Sequence, residues 1–166
     1  MSRPQRGFQI IEAIIIVAIV AILGSIALPA YQDYTIRAQV RKGLQDMASV
    51  QNAVTDTFTK SGKMPGSRSA ADLPAAASST QSRFISSVDI GVDGAVTLTY
   101  GNSANAKISG RTLQLTPYII AGRTVVWRCG AADAPDAVES GKFAAGRVEF
   151  RYLPMDCVAE TQPPAH

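Results

Sequence analysis

The sequence predicts an α+β fold: a long N-terminal α-helix packed on a four-stranded antiparallel sheet, with a disulfide-closed C-terminal loop. Three observations carry this. No charged residue falls between Ala13 and Gln32, and from Val40 onward apolar residues recur every three or four positions. After residue 83 the apolar period becomes two. Cys129 and Cys157 stand late in a chain that opens with an export-like segment, where a pair of cysteines suggests one bridge in an oxidising compartment.

The helix comes first. As a helix the stretch 13–32 would run for about 30 Å at ~1.5 Å per residue, the thickness of a bilayer core. A short basic head with Arg3, Arg6 and Gly7 precedes it, and the orientation rule leaves that head in the cytoplasm and everything after Pro29 outside. The single charge at the front of the apolar run is Glu12. A lone carboxylate at the mouth of a membrane helix is costly without a partner and is a functional candidate for that reason.

Gly7, then Phe8-Gln9-Ile10-Ile11-Glu12, then the unbroken apolar run: this arrangement resembles the N-terminus of a type IV prepilin of the type IVa class. The resemblance implies cleavage between Gly7 and Phe8 by a prepilin peptidase, N-methylation of Phe8, and a mature chain of 159 residues, which is 166 less the 7 of the leader. It also implies that Glu12 neutralises the N-terminal ammonium of a neighbouring subunit. In an apolar bundle each charge alone is expensive, and the pair offsets that cost in one axial register only, so Glu12 would set register rather than add stability. Two departures stand out. Relatives mostly read Phe-Thr-Leu-Ile-Glu, and Ala21 occupies a place where they tend to have glycine. Gly24, Ser25 and Pro29 would supply the corresponding soft stretch about one turn later.

A secretory signal peptide is the competing reading of the same residues. Ala13–Leu23 has the length of its apolar core, and Ser25-Ile26-Ala27 has the form of a cleavage site. A carboxylate between basic head and apolar core argues against it, as does the helical pattern that continues afterwards. A plain signal anchor is the other alternative.

Beyond Pro29 the helix is expected to continue with a bend, because proline offers no backbone donor. Tyr31 and Tyr34 follow the apolar run, where amphipathic aromatics anchor a membrane helix or pack between subunits. Arg37, Arg41 and Lys42 read as a solvated face, with a basic cluster facing the leaflet before assembly as the alternative. Val40, Leu44, Met47, Val50, Val54 and Phe58 form the apolar stripe of an amphipathic helix. Gly62 suits its C-terminal cap and Pro65 its stop. A loop rich in Ser, Ala, Gly and Pro follows over 63–82, and no residue in it is singled out.

Strands are expected at Phe84–Ile90, Ala95–Tyr100, Thr112–Thr116 and Thr124–Trp127, the first two joined by the Asp93-Gly94 hairpin signal. Trp127 is placed on the sheet face or in the core. Further segments resemble those of type IVa major pilins: Phe84–Val88, Thr99-Tyr100-Gly101, Leu113–Pro117, Val126–Gly130 and Tyr152–Cys157. Cys129 and Cys157 then bracket that family's C-terminal loop, 129–157, and Arg147–Leu153 alternates as a further short strand would. The tail after Val158 is expected to fray.

The organisation expected is therefore a leader, 1–7, a hydrophobic assembly helix, 8–34, and a globular pilin head, 35–166. Within the head come a helix over 35–62, the loop 63–82, a sheet over 83–129 and the disulfide loop. No enzyme constellation is present: the one histidine is His166, there is no phosphate-binding glycine loop and no paired acidic motif, so no catalytic residue, cofactor or metal is assigned. The net charge of +3 falls to +1 once Arg3 and Arg6 are discounted, so DNA as a partner is possible but unsupported.

What the resemblance implies is a structural subunit of a type IV pilus, most simply a major one. Its partners would be copies of itself, the peptidase, an inner-membrane assembly machinery, and lipid before assembly. It would be a single-pass inner-membrane protein first and part of an extracellular filament afterwards, with adhesion, twitching motility, biofilm formation or DNA uptake as the filament's uses. A minor pilin is an alternative. A type II secretion pseudopilin is another, although major pseudopilins usually lack the cysteine pair.

Overall fold

The computed structural model describes residues 10–135 and 146–159. It divides into two compact units, 1–35 and 36–166. Helix α1 (Ile10–Asp46) is the only described element of the first unit and continues through Pro29 into the second. Pro29 has no N–H to offer the Ser25 carbonyl, one turn back. The Ser25 hydroxyl itself donates to the Ile22 carbonyl, 2.7 Å away.

The second unit holds the hydrophobic core. Here α1 ends at Asp46, and α2 (Ala48–Ser61) follows after a single turn residue, Met47. The uninterrupted helix expected over 35–62 is thus two helices: Met47 N–H bonds the Leu44 carbonyl, a three-residue step that tightens the turn there. Gly62 closes α2 in the left-handed conformation (φ 73°), donating its N–H to the Phe58 carbonyl at 2.8 Å. That is the C-terminal cap the sequence signals.

Ile36, Val40, Gly43, Met47, Val50, Val54 and Phe58 form the buried face of the helix pair. Leu44, placed in this stripe by its spacing, is half-buried beside it. Gly43 takes the closest position because it has no side chain. A Cβ there would stand 2.7 Å from Cε1 of Tyr100 and 2.8 Å from Cδ1 of Ile85.

The sheet is an antiparallel meander in the order β1-β2-β3-β4, built from β1 (Ile85–Ile90), β2 (Val96–Tyr100), β3 (Thr112–Ile120) and β4 (Thr124–Cys129). Val88 lies opposite Leu98, and Leu98 opposite Leu113, so one row of apolar side chains crosses three strands into the core. The β1–β2 connection uses positive φ at Asp93 (63°) and Gly94 (75°), the conformation for which the Asp-Gly pair is suited.

Strand β3 runs four residues past the expected end at Thr116, through Pro117 to Ile120. Pro117 lies beyond the reach of β2, whose pairing with β3 stops at Leu115, and faces only Trp127 of β4. A strand tolerates proline where no neighbour needs its N–H.

The expected strand over Arg147–Leu153 is not formed. The segment instead makes a tight 3₁₀ turn over Phe150–Tyr152. Its start is held where the N–H groups of Arg147 and Val148 both bond the Thr112 carbonyl, at 2.7 and 3.1 Å. Tyr152 and Leu153 are both buried.

Candidate assembly surface

In the first unit the large apolar side chains from Ile10 (80% exposed) to Leu28 (64%) are exposed all round the helix. This is the one described helix long and apolar enough to cross a bilayer. A helix that is apolar all round demands a surrounding of lipid or of several protein neighbours at once. Glu12 is exposed in the first turn of the described helix and is the only charge on it before Asp33. Tyr31 (67% exposed) and Tyr34 (64%) lie after Pro29 with their rings uncovered. Gly7 and Phe8, the expected cleavage and methylation positions, fall outside the described residues, as does the tail 160–166.

The second unit is closed by the Cys129–Cys157 disulfide, which joins the end of β4 to the 3₁₀ turn Met155–Cys157 with the two Cα atoms 4.7 Å apart. Ala131 N–H bonds the Cys157 carbonyl at 2.9 Å beside it. Gly130 (φ 58°) passes so near that a Cβ would lie 2.8 Å from the same carbonyl oxygen. Trp127 is half-buried and points its indole N–H at the Thr55 hydroxyl, 3.3 Å away, tying β4 to α2. Among the described residues no group of three or more His, Cys, Asp or Glu is placed to hold a metal.

Sequence reasoning missed Arg68. Within the loop 63–82 it is 2% exposed and makes three bonds: Nε to the Pro74 carbonyl (2.7 Å), Nη1 to the Val88 carbonyl (2.6 Å) and Nη2 to the Thr80 hydroxyl (2.8 Å). The Val88 carbonyl belongs to β1, the edge of the sheet, so one side chain gathers the loop and pins it there. Arginine is suited to this because its rigid fork serves several acceptors at once. Nothing in the composition of the loop distinguishes Arg68 from an exposed cation.

Of the three cations near the start of the head, Lys42 pairs with Asp46 one turn on, at 2.9 Å. Burial works against the Asp46 carboxylate, but the Lys42 ammonium and the nearby Ser82 hydroxyl outweigh it and hold its pKa below the ordinary value. Arg37 and Arg41 are exposed, and Arg37 donates through Nε to the Arg151 carbonyl at 2.6 Å.

Comparison with known proteins adds to this geometry. The profile of the family described as Pilin (bacterial filament) matches residues 36–158. The chain is 34% identical over 162 residues to a type IV major pilin protein, PilE1, of Neisseria gonorrhoeae, covering 95% of this chain and 89% of that one. It is 36% identical to a fimbrial protein of Neisseria meningitidis serogroup B, covering 95% and 96%. With the fimbrial protein EcpC of Eikenella corrodens the identity is 31%, covering 95% and 93%.

Proposed function

This chain belongs to the pilin family and is a structural pilus subunit, not an enzyme; from that premise we propose how its N-terminal segment acts. A prepilin peptidase removes residues 1–7 by cutting between Gly7 and Phe8, and Phe8 is N-methylated. The segment Phe8–Leu28 then holds the subunit in the inner membrane as a single span, with the head, 35–166, outside.

On extraction by an inner-membrane assembly machinery, neighbouring helices replace lipid around that span, so its apolar surface stays covered throughout. Glu12 gains the Phe8 ammonium of a neighbour as its partner, which selects one register among many that apolar packing alone would allow. Pro29, Tyr31 and Tyr34 lie at the following contacts between subunits. Because each contact joins different surfaces of two copies and does not close, the product is a helical filament. The filament then serves adhesion, twitching motility, biofilm formation or DNA uptake.

The observation that carries this reading is the all-round exposure of apolar side chains over 10–28, with one carboxylate at the front. It is tested by mass spectrometry of the N-terminal peptide from protein sheared off the cell surface. N-methylated Phe8 at the start of sheared material is the expected result. A chain starting near Leu28 or Tyr31 would mean conventional secretion, and the Glu12 mechanism would be wrong.

A further inference from the structure

The head carries a cluster of exposed cations whose backbones are tied together. Arg37 and Arg41 are one helical turn apart on α1 and so share a face. Gln39, on a different face of α1, accepts the Asn105 N–H through Oε1 at 2.8 Å and fixes the loop 101–111 beside this helix. Arg111 ends that loop, immediately before Thr112, whose carbonyl takes the N–H of Arg147. Arg37 in turn donates to the Arg151 carbonyl. Three segments distant in sequence therefore meet here, and each brings an exposed arginine: Arg37 and Arg41, Arg111, and Arg147. Two acids stand nearby: Glu149 is held by Arg151 at 2.9 Å, and Asp33 lies one turn before Arg37 on α1.

Phe150 sits within the same turn, between Arg147 and Arg151, with 46% of its surface exposed although Tyr152 and Leu153 beside it are buried. A half-exposed aromatic residue in a segment with arginines on either side is the composition that favours a lipid interface, where the ring enters the headgroup layer and the cations meet its phosphates. Nine positions of chain separate Leu28 from Arg37. Chain length alone therefore keeps Arg37 within about 30 Å of Leu28. This rests on the reading that residues 8–28 occupy a membrane.

We propose that Arg37, Arg41, Arg111 and Arg147, with Phe150 among them, form a docking surface for anionic lipid headgroups, on which the head rests before assembly. The contact is electrostatic at its rim and weakens with salt, because exposed charges are screened beyond about 8 Å at physiological ionic strength. Such a contact is easily broken when the subunit leaves the membrane.

The test uses the full chain reconstituted into vesicles of phosphatidylcholine alone or of phosphatidylcholine mixed with phosphatidylglycerol. Hydrogen exchange is followed in three regions: the apolar span, 102–111 and 146–151. Phosphatidylglycerol is expected to slow exchange in the latter two by about fivefold or more, the effect of roughly one cation at an anionic surface. High salt and the triple variant Arg41→Glu, Arg111→Glu, Arg147→Glu should both abolish the slowing. Phe150→Ser should reduce it with all charges intact, and unchanged melting curves would show that these variants remain folded. If the span is protected in both vesicles but the two loops exchange alike, the docking surface is refuted while the membrane anchor stands. If the span is unprotected in both, the anchor reading fails and the proposal falls with it. Slowing by added duplex DNA, with no effect of phosphatidylglycerol, would assign the cluster to a soluble polyanion and overturn the proposal.

Discussion

Tyr100 reaches across from the sheet to bond the Val40 carbonyl through its hydroxyl at 3.0 Å, directly beneath Gly43. The two contacts depend on each other. Gly43 lets the helix come close enough for the tyrosine ring to lie flush against its backbone. The hydroxyl then finds an acceptor in a place where neither group meets water. Burial pushes the Tyr100 phenol well above its ordinary pKa.

Gly43→Ala should therefore destabilise the head although alanine favours helix by about 1 kcal/mol. Its Cβ would collide with Tyr100 and Ile85, both fully buried, and overpacking of this kind costs about 1–3 kcal/mol. Denaturant unfolding should show the net loss. A more stable variant would mean that the interface relaxes freely.

Tyr100 also makes stability fall at high pH. Its folded pKa lies above the unfolded value near 10, so below that value its contribution is complete, and above it the unfolded chain alone releases the proton. Tyr100→Phe should flatten the alkaline limb of a stability profile and cost about 1 kcal/mol at neutral pH through the lost bond. An alkaline limb of unchanged slope would assign that limb to other groups.

Arg68→Met removes the three bonds that gather the loop and leaves the Val88 and Pro74 carbonyls without that donor. We expect a loss of about 1–3 kcal/mol and faster hydrogen exchange over 67–81. Exchange as slow as in the parent chain would show that the loop is held by something else.

Replacing Cys129 and Cys157 together with serine should lower stability by about 3.5 kcal/mol, the chain-entropy value for a separation of 28 residues. Coincident melting curves would contradict that value.

In the first unit Glu12→Val should leave the protein in the membrane fraction and sharply reduce its incorporation into filaments. On the proposed reading the membrane keeps the chain by its apolar length, to which valine only adds, while register needs the carboxylate. Normal amounts of sheared filament would end the register argument.

The parts of this fold that announce themselves in sequence are those governed by period. Spacing of three and four marks Val40 to Phe58, alternation marks β1 and β2, and Asp93-Gly94 marks their turn. What sequence hides is set by distant partners. Gly43 reads as a weak spot in a helix until Tyr100 is placed under it. Arg68 reads as a solvated cation until Pro74, Thr80 and Val88 converge on it. The alternation of Arg147–Leu153 suggests a strand, yet Arg147 and Val148 both spend their N–H groups on the one Thr112 carbonyl, and the chain turns at Phe150–Tyr152. The extension of β3 past Pro117 was hidden for a related reason, since it depends on where β2 happens to stop.

The pinned loop has a consequence for life at high packing density. A filament holds its heads at a local concentration no free protein reaches, and a bare strand edge under those conditions invites pairing with the next copy, the route to irreversible aggregation. By drawing the loop 63–82 onto β1 through Arg68, this chain insulates that edge. Ala71, buried in the core, and Leu73, packed against it, hold the same loop from its inner side, so its cover over the edge does not hang on one contact.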